Sequence, residues 1–391
     1  MNAIELLDII STGETSKVQF KREIDSNDSI AAEMIAFSNT RGGKIFFGVE
    51  DKTGKISGLS VRQIHDYNQL LANIANDFVK PQVFIYTEVV GVATSENDEK
   101  KVLIVEVSEG TAKPYKDNRG AIWIKQGSDK RRLTDNNEQL RLFQQSGIIY
   151  MDEMIVPHTN LNDIEYSKVE KYINALQKRD SNENIIITET LLNNLNIIKD
   201  KHLTLGGLLF FTNDPQKYRP AFCVKAISFF GNSIGGTDYR SSQDINGTIP
   251  EMFEETMRFF TSNLHHVQAG QNFNSVGKLE VSQIALEEFV QNALVHRDYS
   301  KNSPIRIMIF DNRIEILSPG SLPNSLTIEN IKMGNAVVRN NLLVSYCSKL
   351  MIYRGFGSGI NRALTAQPNI ELVNDIEGEQ FKVIIPRPEK K

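Results

Sequence analysis

Residues 283–300 read QIALEEFVQNALVHRDYS. Ala285, Phe289 and Ala293 recur at i, i+4, and Leu286, Val290 and Leu294 form the adjacent row. That spacing predicts one long helix with a broad apolar face able to pack on a sheet. Glu288, Asn292 and His296 also recur at i, i+4, so they stack on a neighbouring face of the same helix. A carboxylate, a carboxamide and an imidazole beside a core face fit the wall of a pocket. They fit equally a solvated stripe closed by a His-Arg-Asp cap.

Downstream, PIRIMIFDNRIEILS reads as two strands around an Asp311-Asn312 turn. A loop with Pro319, Gly320 and Pro323 follows, then a helical stretch, the glycine-rich RGFGSGINRAL and a last strand, FKVIIP. Upstream, PEMFEETMRFFTSNL is a strongly amphipathic helix, and GGLLFF and AFCVKAISFF are strand candidates. Residues 204–391 thus read as one α+β domain. Residues 148–203 read as a helical connector ending in TETLLNNLNII; a winged-helix-like piece also fits, but there is no basic recognition helix. Residues 1–147 read as a second α+β domain. In it, Asp28 or Ser29 caps a helix through IAAEMIAFSN, KIFFGV is a buried strand, and VRQIHDYNQLLANIANDFV is a helix. VFIYTEVV, KVLIVEV and AIWIKQ follow as strands.

Composition narrows the function. With 391 residues and a net charge of -4, the chain has room for several cores and no global basic field, so nucleic-acid contact must rest on local patches. Cys223 and Cys347 are the only cysteines, without metal-ligand spacing; this suits a reducing cytoplasm and argues against a disulfide framework or structural zinc. MNAIELLDIISTGE lacks the basic start of a secretory signal, and the apolar runs are too short to span a bilayer. A soluble cytoplasmic protein is expected.

Four ordered blocks, EEFVQNALVHRDYS, IEILSPGSLP, VVRNNLLVSY and YRGFGSGINRAL, resemble the C-terminal domain of the RecG-related family of bacterial transcriptional regulators. That domain is similar to the GHKL-type ATPase fold of gyrase, certain chaperones and histidine kinases, an α/β sandwich. The resemblance implies ATP and Mg²⁺ as cofactors. Glu288 then orients the attacking water as general base, and Asn292 coordinates Mg²⁺ through its side-chain oxygen. His296 shares their face, and Gly320, Gly355, Gly357 and Gly359 bring backbone close to the nucleotide. One departure stands out. The parent fold hydrogen-bonds the adenine amino group with an Asp in a D-x-G-x-G turn, whereas this chain has Ser318-Pro319-Gly320. The site therefore reads as a divergent, degenerate one, and turnover is not expected.

GETSKVQFKRE, MIAFSNTRGGKIFFGVEDKTGKISGL and IWIKQGSDKRRLT resemble the Schlafen-type, AlbA-like nucleic-acid-binding domain. Lys125, Lys130, Arg131 and Arg132 surround a Gly127-Ser128 turn after Trp123, and Lys17, Lys21, Arg22 and Arg41 form a second basic set. Such cations neutralise phosphates or form a solvated charged face, and the Trp stacks on a base or fills the core. Some Schlafen proteins cut RNA with three carboxylates and a metal. The matching positions here are Glu14, Gln19 and Asp51, so the second carboxylate is missing and nuclease activity is not expected. Without that role, Glu14 caps a helix start and Asp51 opens a turn. The combined expectation is a nucleic-acid-binding transcriptional regulator, with DNA its target and the C-terminal domain serving as sensor or homo-oligomerisation module. The alternatives are an ATPase or metal-dependent nuclease, or a component of a phage-defence complex.

Overall fold

The computed structural model describes residues 1–51, 53–95, 98–177, 186–235, 238–268, 277–323, 326–353 and 357–388. The described chain divides into two compact units, Met1–Ile149 and Tyr150–Lys391. Both are α+β.

The first unit comprises α1 (Ala3–Thr12), β1 (Val18–Lys21), α2 (Asn27–Asn39), β2 (Gly43–Phe47), α3 (Val61–Asp77), β3 (Val79–Lys80), β4 (Ile85–Ser95), β5 (Asp98–Val107), β6 (Lys116–Asp117), β7 (Trp123–Gln126), β8 (Asp129–Arg132) and α4 (Asn136–Gln145). Its main sheet has the order β1-β2-β5-β4, with β1 parallel to β2 and the other neighbours antiparallel. The two-residue period of a strand supplies both faces. Ile45, Phe47, Leu103 and Val105 point into a core with Ile30 and Met34 of α2 and Leu71 and Ile74 of α3. Phe46, Val102 and Ile104 point the other way, onto Leu6 of α1 and Phe20. The α2 cap is Ser26, whose hydroxyl accepts from Ser29 N at 3.4 Å, so the helix starts ahead of Asp28.

The second unit comprises α5 (Tyr166–Gln177), α6 (Glu189–Asn194), β9 (Ile198–Lys199), β10 (His202–Leu203), α7 (Leu205–Phe211), β11 (Val224–Phe229), β12 (Tyr239–Ile245), α8 (Ile249–Asn263), β13 (His266–Val267), β14 (Lys278–Leu279), α9 (Gln283–His296), β15 (Ile305–Ile309), β16 (Arg313–Pro319), α10 (Ile328–Lys332), α11 (Asn341–Leu350), α12 (Gly359–Ala366), β17 (Glu371–Asp375) and β18 (Gln380–Pro386). Six strands form one sheet in the order β12-β11-β15-β16-β18-β17; only β11 and β15 pair in parallel. The helices build the main core on one face, with Ala285, Phe289 and Val290 of α9 facing Ile307 and Ile316 of the sheet. On the other face Phe229 stacks on Phe310 at 5.3 Å.

The β15–β16 hairpin turns at Asp311-Asn312, as the sequence predicts, with Phe310 N donating to Arg313 O at 2.8 Å. GGLLFF differs from expectation: it lies in helix α7, not in a strand. A short apolar run has no periodicity to separate the two states. Thr204 Oγ1 decides it locally by accepting from Gly207 N at 2.9 Å, and a Cβ on Gly207 would meet Ile197 O at 2.0 Å. The segment read as a connector lies inside the second unit, where Tyr172 packs on Phe211 and Tyr346 at 5.5 and 5.1 Å.

Candidate functional sites in the two units

The polar row on α9 faces a cavity. Glu288, Asn292 and His296 line it together with Gly320, Gly357 and Gly359, so six residues singled out from sequence meet at one place. Gly355 lies outside the described residues. The cavity has about 160 Å³ of free space, and its floor is the sheet, through Ile316 and Ser318 of β16 and Phe381 and Val383 of β18. Ser318 Oγ donates to Ala293 O at 3.2 Å and ties that floor to α9.

Glu288 and Asn292 form a pair, with Asn292 Nδ2 donating to Glu288 Oε1 at 3.0 Å. A carboxylate only accepts, so the amide must turn its nitrogen toward it. Asn292 Oδ1 is thereby left without a hydrogen-bond partner among the described residues, as a Mg²⁺ ligand requires. The other carboxylate oxygen of Glu288 pairs with Arg362 at 3.3 Å. Helix α12 begins directly against this carboxylate: a Cβ on Gly359 would lie 1.8 Å from Glu288 Oε1. Gly359 is therefore needed for close approach.

His296-Arg297-Asp298 divides into three roles. His296 is half-buried, its Nε2 meets Tyr353 Oη at 2.8 Å, and desolvation with the nearby Arg339 pushes its pKa down to about 4, so the ring is neutral at pH 7. Arg297 is a core residue: its guanidinium lies 4.7 and 4.8 Å from the Phe222 and Tyr299 rings and donates to Lys301 O and Ser303 O. Asp298 holds the following turn through Ser300 N at 3.0 Å. Asn340 donates to Val295 O and Arg297 O, serving helix-end carbonyls that would otherwise lack partners.

Gln291, Arg339, Tyr353 and Arg362 also line the cavity, and sequence reasoning missed them. Gln291 follows Glu288 by three positions, a spacing that could have flagged it. Arg339 carries no such signal, because it reaches the cavity from the segment before α11. Its guanidinium donates to Ser321 O at 2.7 Å and to His296 O at 3.4 Å. Gly320, at φ +98°, lets the chain pass beneath it: a Cβ there would lie 2.6 Å from Arg339 Nη1 and 2.5 Å from Asp298 Cβ.

In the first unit, Glu14, Gln19 and Asp51 come together in a polar cavity with Lys21, Glu33, Lys130 and Arg131. Its organising group is a lysine. Lys125 Nζ donates to Gln19 Oε1 at 2.8 Å, to Glu33 Oε2 at 3.4 Å and to Ser128 O. Gln19 passes the chain on, its amide nitrogen donating to Glu14 Oε1, which also accepts from Phe20 N at 2.7 Å. Glu14 thus ties down β1 and caps no helix. Burial raises the Glu14 pKa and lowers that of Lys125. Lys130 Nζ completes the network at Glu33 Oε1, 2.8 Å away, and Arg131 is held by Glu138 at 3.0 and 2.6 Å.

This arrangement does not fit a divalent metal. An ammonium already sits on the Gln19 and Glu33 oxygens, and the described residues contain no group of three His, Cys, Asp or Glu placed to hold an ion. The remaining predicted cations are scattered. Lys17 and Arg41 line a separate cavity beside Gly42 and Gly43, Arg22 lies 3.7 Å from Glu23, and Arg132 is exposed at the cross-strand position to Trp123. Trp123 packs against the α2–α3 core and donates from Nε1 to Asp117 Oδ2 at 3.0 Å, which is the core-filling alternative.

A sheet with an embedded carboxylate-lysine network, and a second sheet carrying a helix with a Glu-Asn pair beside a cavity, thus stand one in each of the two units. Residues 14–134 match the family described as "Schlafen, AlbA_2", and residues 302–385 match "Putative ATP-dependent DNA helicase recG C-terminal", the HATPase_c_4 family. Residues 140–225 match a domain of unknown function, DUF8451. The chain therefore carries a Schlafen AlbA_2 domain followed by a RecG C-terminal-like, ATPase-type domain, in the order the sequence blocks imply. The second match begins after α9, so Glu288 and Asn292 lie outside it. The crystal structure of the DIP2311 protein from Corynebacterium diphtheriae is similar at 20% identity and a TM-score of 0.47, covering 99% of this chain and 80% of that one. No curated protein matches the chain. None of the described helices is long and apolar enough to cross a membrane.

Proposed function

We propose that this protein is a cytoplasmic nucleic-acid-binding regulator of transcription, with DNA its target. Its first unit contacts phosphates, and its second takes a purine nucleoside triphosphate with Mg²⁺ as sensor or homo-oligomerisation module. The observation that carries the first half is the separation of cations into two groups. Lys125, Lys130 and Arg131 are held by internal partners, whereas Lys17, Lys21, Arg41 and Arg132 have no carboxylate within 4.0 Å among the described residues. Cations without internal partners are those that can release counterions from a nucleic acid. For the second half, Asn292 Oδ1 is the oxygen that would hold Mg²⁺, which when bound supplies positive charge against phosphate oxygens. Glu288 supplies the acceptor for a water proton, and Arg362, 3.3 Å away, holds that carboxylate in orientation. Nucleotide that prefers one conformation of the second unit then shifts the affinity of the first.

Equilibrium binding to duplex DNA and single-stranded RNA across a salt series tests this reading. Replacing Lys17, Lys21, Arg41 and Arg132 together by alanine is expected to weaken binding and to flatten the log–log salt slope by about 0.9 for each duplex phosphate no longer neutralised. Affinity and slope equal to those of the native chain would remove these four residues from the account.

A further inference from the structure

The cavity beside α9 is chemically two-ended. Glu288, Asn292, Arg362 and the backbone at Gly359 form one end, suited to phosphates and their metal. The β16–β18 floor and the Gly320 turn form the other, whose apolar wall suits a flat base.

At this second end the strong hydrogen-bonding groups are donors. Arg339 directs two N–H groups at Ser321 O and His296 O, which leaves three of the five on a guanidinium unused among the described residues. It has no carboxylate within 4.0 Å among the described residues, and burial pulls its pKa below the usual arginine value. The Asp298 carboxylate attracts it from beyond that distance, so the unused N–H groups remain costly until an acceptor meets them. Ser318 offers a neutral oxygen, already committed as donor to Ala293 O, and His296 is taken up by Tyr353. Charge-assisted bonds are roughly twice as strong as neutral ones, so Arg339 decides the preference of this end. Gln291 adds a second pointer. It is 5% exposed, lines the cavity and has no hydrogen-bond partner among the described residues, so its amide is left for a ligand.

We propose that this cavity selects a 6-oxopurine nucleotide, such as guanosine or inosine triphosphate, over an adenine nucleotide, with Arg339 reading the base oxygen. Adenine carries an amino group where these bases carry the oxygen, and would set N–H against N–H. This inference rests on the reading of the cavity as a nucleotide site.

The test is equilibrium binding of ATP, GTP and ITP to the full chain with Mg²⁺, for the native protein and for Arg339→Met. ITP separates the 6-oxo group from the 2-amino group of guanine. GTP and ITP are expected to bind about tenfold or more tighter than ATP, with the ratio falling toward one in Arg339→Met. ATP binding as tightly as ITP overturns the base preference while leaving the nucleotide site intact. Failure of all three to bind overturns the nucleotide reading itself. Where Arg339→Met does not fold, the ITP-to-ATP ratio of the native chain decides alone.

Discussion

Lys125→Ala is expected to destabilise the first unit by about 3–5 kcal/mol, the range for stranding one member of a buried ion pair. The Lys125 and Glu33 side chains are 1% and 3% exposed, so neither charge can turn to water. Removing the ammonium leaves Glu33 with Lys130 alone and takes the donor from Gln19 Oε1 and Ser128 O. The Nζ also lies 5.0 Å from the Phe37 ring centroid, an interaction alanine cannot make. The double variant Lys125→Met, Glu33→Gln removes both charges and should be milder than Lys125→Ala, although it has less salt-bridge chemistry left. Trp123 is the only tryptophan of the chain and lies two residues from Lys125, so its fluorescence in a urea titration reports on this unit. Equal losses in the single and double variants would mean that packing, and not a stranded carboxylate, sets the cost.

The same network explains why the sequence misleads at the basic run. IWIKQGSDKRR reads as one patch of four cations around a turn, but in the hairpin three of the four are drawn to carboxylates. Lys125 and Lys130 pair across β7 and β8 and both turn inward to Glu33, while Arg131 goes to Glu138 and only Arg132 stays exposed. Glu33 itself was invisible, an acidic residue inside the apolar run IAAEMIAF whose partner lies 92 positions away. Ion pairs that distant leave no local pattern. The α9 wall was legible for the opposite reason, since Glu288, Asn292 and His296 follow one another at the helical period. What periodicity could not supply was the rest of the cavity: Arg339 and Tyr353 arrive from irregular segments, and the sheet order alone places Phe381 beside Ser318.

Asp152 carries the other large effect, and its sign is unusual for a carboxylate. Its Oδ2 accepts from Leu342 N at 2.7 Å and Leu343 N at 3.0 Å, satisfying two amides at the start of α11. Its Oδ1 is buried without a partner among the described residues, and burial pushes its pKa up from 3.8 to about 6 against those bonds. A folded pKa above the unfolded one means that the contribution is complete below about pH 4 and is lost as pH rises through 6. The full difference corresponds to about 3 kcal/mol, of which about 2 kcal/mol falls between pH 4 and 7. Asp152→Asn keeps an oxygen for the two amides but cannot ionise. Its stability relative to the native chain should therefore rise across that interval by about 2 kcal/mol, whatever the offset at pH 4. Hydrogen exchange at the Leu342 and Leu343 amides, corrected for intrinsic pH dependence, reads the opening free energy where the carboxylate acts. A native-to-Asn difference that stays constant from pH 4 to 7 would show that Asp152 remains ionised in the fold, with Oδ1 solvated by water.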